Sequence, residues 1–156
     1  MTERAFQDQF KGNLCWGCGA DNHQGLQIKS YWSGDESVCG WEPSPHHAAG
    51  PPHVLNGGII ATLIDCHGVC TAIADAYRRE GREIGTGESI WYATASLNVT
   101  YLLPTPIDKP VTVRARVRER DGKKTWVECS LFSDDAECAR GEVLATRVSE
   151  KWRSPP

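Results

Sequence analysis

The sequence predicts an α+β domain, an antiparallel sheet of about six strands wrapped around one long central helix. Three observations predict it. His53 to Tyr77 (HVLNGGIIATLIDCHGVCTAIADAY) carries apolar residues at spacings of three and four. Most of the remaining apolar residues alternate with polar ones, as in half-buried strands. Turn pairs (Gly34–Asp35, Asp121–Gly122) and prolines (Pro104, Pro106) punctuate the alternating stretches.

The 156 residues suffice for one domain with a real core. We read 1–156 as that domain, with an N-terminal extension over 1–23 and a flexible tail over 151–156. The formal charge is −3 and basic residues are scattered, which gives no footprint for nucleic acid. No apolar run is read as a membrane span. The opening MTERAFQDQFKGN lacks the apolar segment of a signal peptide. Seven cysteines, an odd number with two inside the helix, fit reduced thiols and a cytoplasmic location better than a disulfide framework.

Within the extension, Cys15 and Cys18 form C-x-x-C. Zinc needs two more ligands, and no second pair is read at the right spacing; Cys39 and His23 are loose candidates. A structural turn is the favoured reading, so no metal and no cofactor is expected, and Trp16 is expected to pack this loop onto the body. Strand one runs from about Leu26 to Trp32, and strand two, its hairpin partner, from Glu36 to Glu42. Pro43 to Pro52 is a loop leading to the helix. Glu80 to Ser89 is a Gly-rich connection without the spacing of a phosphate loop. Ala93 to Leu103 then alternates as a long strand that places Thr94 and Ser96 on its polar side. Val111 to Arg118, Lys124 to Phe132 and Ala139 to Val148 complete a meander, giving the order β-β-α-β-β-β-β.

The helix is expected over Gly57 to Arg79, roughly 35 Å long. Asn56 is placed to cap it, and Gly81 to follow its end. Each of Gly57 and Gly58 costs a helix about 1 kcal/mol relative to Ala. Two readings stand: close backbone packing, or a bare first turn whose free N–H groups receive developing negative charge. Asp65 interrupts the apolar face. Desolvating a carboxylate is costly, so it is either paired with Arg or bonded to backbone, or it is a site residue with a raised pKa. His53 is the best of the loop histidines for lining the mouth of a site, whereas His67 is read as a satisfied interface residue. Asn56 and Asp65 are about 2.5 turns apart, roughly 13 Å along the axis and on opposite sides. One helix cannot easily offer both to one small group. Two helices related by a two-fold axis could, which predicts a homodimer with two shared sites.

These residues carry a family resemblance. N-G-G-I-I-A-T-L-I-D (56–65) resembles the H-G-G-x-x-x-x-x-x-D signature of hotdog-fold acyl-CoA thioesterases, with Asn56 where the family usually has His. T-A-S-L-N-V-T-Y-L-L-P-T-P and C-W-G-C-G-A-D-N-H-Q-G-L-Q-I are similar to segments of the phenylacetyl-CoA thioesterase branch. The resemblance implies the hotdog fold, an acyl-CoA substrate and a homodimer joined into a tetramer. It implies that the Gly58 N–H, with Gly57, binds the oxyanion and that Asp65 is base or nucleophile. Thr94 would orient the water or the carboxylate. Asn56 would hydrogen-bond the thioester oxygen or the water, though it cannot act as acid or base. Two alternatives stay open: a non-catalytic acyl-CoA-binding hotdog protein, and an enoyl-CoA hydratase or dehydratase.

Overall fold

The computed structural model describes residues 3–156. Met1 and Thr2, which open the N-terminal extension, lie outside the described residues. Six strands, β1 (Tyr31–Ser33), β2 (Glu36–Trp41), β3 (Trp91–Tyr101), β4 (Val111–Asp121), β5 (Lys124–Ser133) and β6 (Ala136–Val148), form one sheet in the order β1-β2-β4-β5-β6-β3. Every neighbouring pair is antiparallel. The helix α1 (Gly57–Arg79) is wrapped by this sheet in the expected hotdog arrangement.

The ends of α1 fall where the sequence puts them. Gly81 adopts φ +66°, a left-handed conformation that costs glycine little. Its N–H donates to the Arg78 carbonyl at 3.0 Å, and the Arg82 N–H to the Tyr77 carbonyl at 3.0 Å, the paired bonds of a Schellman stop. From Leu63 to Tyr77 the helix is buried almost all round. Leu63, Ile64 and Ile73 meet a sheet face built from Val111, Val113, Val127, Leu131 and Val143, all fully buried. Each such side chain contributes about 1.5–3 kcal/mol of transfer free energy. By length and apolarity α1 does pass as a membrane span, contrary to the expectation that no run would, yet its burial makes it the core helix of this domain.

Asp75, about one turn from the end of α1 and 2 % exposed, is held by Arg120 of β4 through Nε at 2.8 Å and Nη2 at 2.7 Å. A bidentate guanidinium of this kind is what keeps a charge inside a fold.

Several expectations are corrected. Residues Leu26 to Ser30 keep their alternating burial but are not a strand, since their backbone bonds to the N-terminal loop: Leu26 N–H to the Trp16 carbonyl at 2.8 Å and Ile28 N–H to the Gly17 carbonyl at 3.1 Å. Trp16 is exposed; Phe6, tilted against Trp32, and Phe10, edge-on to Trp91, anchor the extension instead. Both were hidden in a polar opening. His67 is not at an interface but fully buried, its ring nitrogens bonded to the Ser30 and Ser37 hydroxyls at 2.8 and 3.0 Å. Burial pushes its pKa down to about 4, so it is neutral. The tail starts with a helical turn, Glu150–Arg153, whose Arg153 lies over the Trp91 ring and bonds Ser89 Oγ. The long strand β3 changes phase at a bulge between Thr94 and Ser96. A bulge shifts the facing pattern by one residue. Ahead of it Tyr92 and Thr94 face α1; beyond it Val99 and Tyr101 do.

Candidate active site

An α-helix begins with four backbone N–H groups that have no partner in the helix. In α1 three of them are satisfied. The Asn56 N–H donates to the His47 carbonyl at 2.9 Å, and Asn56 Oδ1 accepts from the Gly58 and Ile59 N–H groups at 2.8 and 3.3 Å. The fourth, the Gly57 N–H, has no partner among the described residues. Gly58, given the oxyanion role from sequence, therefore has its N–H occupied by the cap, and the free donor is one residue earlier. Cap geometry was the available signal, because an Asn cap bonds the second and third helical amides and leaves the first. The Asn56 side-chain NH₂ is also without a partner among the described residues and is exposed.

The two glycines differ in their reasons. A Cβ on Gly57 would stand 3.3 Å from the Tyr101 ring, and Tyr101 donates its hydroxyl to the Gly57 carbonyl at 2.6 Å. Close packing against β3 thus accounts for Gly57, a contact the sequence did not disclose. A Cβ on Gly58 would meet only Asn56 Oδ1, at 3.0 Å.

Asp65 sits in the middle of α1, half-buried. Thr94 donates its hydroxyl to Asp65 Oδ1 at 2.6 Å, a contact made possible by the phase of β3 ahead of the bulge. No Lys, Arg or His forms an ion pair with Asp65 among the described residues, whereas Asp75 on the same helix has Arg120. Burial pushes the Asp65 pKa up, the Thr94 bond lowers it, and nearby Cys18 adds to the rise. A carboxylate held by one hydroxyl and left without a cation can take a proton or attack a carbon.

His53, proposed for the mouth, is exposed; its carbonyl accepts from the Ile107 N–H at 3.1 Å and its ring has no partner among the described residues. It lies outside α1, and about two turns of helix separate Gly57 from Asp65; the single chain does not bring the two ends of the constellation together. Nor does the single chain enclose Asp65. A groove of about 570 Å³ lies instead along Asn98, Thr100, Glu128, Ser130 and Arg140, away from Asp65 and Asn56. The free edge of β3, the last strand of the sheet, carries exposed Leu97 and Tyr101, followed by exposed Leu102 and Leu103.

A family model described as "Thioesterase superfamily" matches residues 53–139. The chain is 31% identical over 108 residues to acyl-coenzyme A thioesterase THEM4 of Xenopus laevis, covering 69% of this chain and 42% of that protein. It is 30% identical over 99 residues to the Mus musculus THEM4, covering 64% and 37%. It thus spans about two fifths of the length of these relatives. A thioesterase superfamily protein from Shewanella loihica PV-4 has a similar structure, with TM-score 0.63 and 34% identity over 78% of this chain and 91% of that one. The E. coli PaaI protein, from the phenylacetic acid degradation operon, shares the fold at TM-score 0.62 and 13% identity, covering 80% and 81%.

Proposed function

This chain belongs to the thioesterase superfamily, and from that premise we propose that it is a cytoplasmic acyl-CoA thioesterase whose two sites are each shared between the protomers of a homodimer. One observation carries the reading. A single helix bears one unsatisfied N-terminal amide, at Gly57, and one cation-free carboxylate, at Asp65, separated by roughly 12 Å of axis. Two-fold pairing along the open edge of β3 would set the amide of one protomer opposite the carboxylate of the other and cover Leu97, Tyr101, Leu102 and Leu103.

In such a site the thioester carbonyl oxygen accepts from the Gly57 N–H and the Asn56 NH₂ of one protomer. As a hydroxyl adds to the carbonyl carbon, these donors hold the oxyanion, and each is worth about 3 kcal/mol at the barrier. Asp65 of the other protomer takes the proton of the attacking water, with Thr94 holding the carboxylate in line. Collapse of the tetrahedral intermediate breaks the C–S bond. The CoA thiolate leaves without an acid catalyst and takes up the proton from Asp65 or from water. If Asp65 attacks the carbon itself, a mixed anhydride forms and water then cleaves it. In a single turnover in ¹⁸O water, label on Asp65 identifies the second route, with water adding to the Asp65 carbonyl of the anhydride, whereas label in the product acid alone is common to both.

Thiol release from a panel of acyl-CoAs, with Asp65→Ala as control, tests the activity. Release by the wild type that the substitution abolishes supports it. Tight acyl-CoA binding without release would point to a carrier, and hydration of an enoyl-CoA without release to a hydratase.

A further inference from the structure

The fold gathers four cysteines that the hydrolytic site does not use. Cys15 and Cys18 come from the N-terminal loop, and Cys66 and Cys70 from α1, about one turn apart on the same face. The Sγ atoms of Cys15, Cys18 and Cys66 all lie within 4.8 Å of one another. Cys15 Sγ is 3.7 Å from Cys66 Sγ, and Cys70 Sγ is 3.7 Å from Cys18 Sγ. Two thiolates each about 2.3 Å from a tetrahedral zinc ion stand about 3.8 Å apart. C-x-x-x-C places Cys66 and Cys70 on one face of α1; Cys66 completes the close group with Cys15 and Cys18, and Cys70 joins it through Cys18.

We propose that Cys15, Cys18, Cys66 and Cys70 form a structural zinc site that fastens the N-terminal loop to the middle of α1. The loop is shaped around these sulphurs. A Cβ on Gly17 would fall 2.3 Å from Cys66 Sγ, so only glycine fits between the two loop cysteines at that point. The Gly19 N–H closes the turn on the Cys15 carbonyl at 2.8 Å. Buried Asn13 accepts from the Cys15 N–H at 3.0 Å and points its NH₂ at Cys18 Sγ at 3.8 Å, the kind of outer bond that orients a ligand thiolate. Cys15 is exposed, which leaves an entry path for the ion. All-sulphur ligation selects zinc over magnesium or calcium. Cys39, on β2, is buried apart from the cluster, and exposed His23 is not part of it.

The test is metal binding by the reduced full chain after stripping with a chelator. Titration with Zn²⁺ against a chromophoric chelator should give one ion per chain, and Co²⁺ should give thiolate-to-cobalt charge-transfer bands with tetrahedral d–d absorption. Cys15→Ser, Cys18→Ser, Cys66→Ser and Cys70→Ser should each weaken zinc binding by about tenfold or more, since even outer-shell partners are worth about 10- to 100-fold. Cys39→Ser and Cys138→Ser should leave stoichiometry and affinity unchanged. Absence of cobalt–thiolate bands in the wild type overturns the proposal, and that spectrum decides the matter even if a variant fails to fold. Wild-type affinity in Cys18→Ser also overturns it, as does a Cys15–Cys66 disulfide whose reduction restores no metal uptake.

Discussion

Replacing Asn56 separates two roles that one side chain fills. Its Oδ1 caps α1 by accepting from Gly58 and Ile59, while its NH₂ is left free for a ligand. Asn56→Ala removes both. Loss of such a cap costs about 1 kcal/mol, which lowers Tm by about 2–4 °C in a chain of this size. Loss of an oxyanion donor costs about 3 kcal/mol at the transition state, or about 100-fold in kcat. Asn56→Asp keeps the cap oxygen and sets a negative charge at the positive end of the helix, so stability should hold or rise by about 0.3–1 kcal/mol. It has no N–H to donate and it repels an oxyanion, so kcat should fall at least as far as in the Ala variant. Thermal denaturation and thiol release on the same preparations read the two effects separately. An Asn56→Asp protein that keeps wild-type kcat would refute the donor role and leave Asn56 as a helix cap alone.

Other substitutions sort the remaining residues. Asp65→Asn should abolish thiol release with Tm unchanged or higher, because no ion pair is lost with the charge. Arg120→Ala should cost about 3–5 kcal/mol in chemical denaturation by stranding the buried Asp75 carboxylate; an equal loss in Asp65→Asn would contradict the distinction drawn between the two carboxylates. Thr94→Val removes a bond to a charged acceptor worth about 1.5–3 kcal/mol, and should lower kcat about 10- to 100-fold with little change in KM. Tyr101→Phe should lower stability by about 1 kcal/mol through the lost bond to the Gly57 carbonyl. In sedimentation the wild type should run as a dimer or larger, and Leu97→Glu with Leu103→Glu should shift it toward monomer and lose activity together.

The helix was legible in the sequence because its apolar period, its Asn cap and its Gly81 stop all agree, and the structure reproduces both ends. The hairpins were legible through Asp–Gly and Gly–Asp pairs. The strand Leu26–Trp32 was not, since alternation reports burial and not which backbone supplies the hydrogen bonds; here the N-terminal loop does. The phase of β3 was hidden for a related reason. Its apolar residues alternate evenly through the bulge, so nothing local to the sequence marks Thr94 as facing Asp65. Asp75 could be told from Asp65 only by finding Arg120, 45 residues away and adjacent solely through the fold. The cysteine cluster needed the same long-range step, joining a loop to a helix 51 residues on.

The central claim is that each site takes its donors from one protomer and its carboxylate from the other. Mixing two inactive proteins, Asn56→Asp and Asp65→Asn, under conditions that exchange subunits tests it most directly. Random exchange makes half of the dimers mixed, and each mixed dimer rebuilds one intact site of two, so thiol release should recover to about a quarter of the wild-type rate. Activity that stays at the sum of the two separate variants, with exchange verified by mass, would contradict the account.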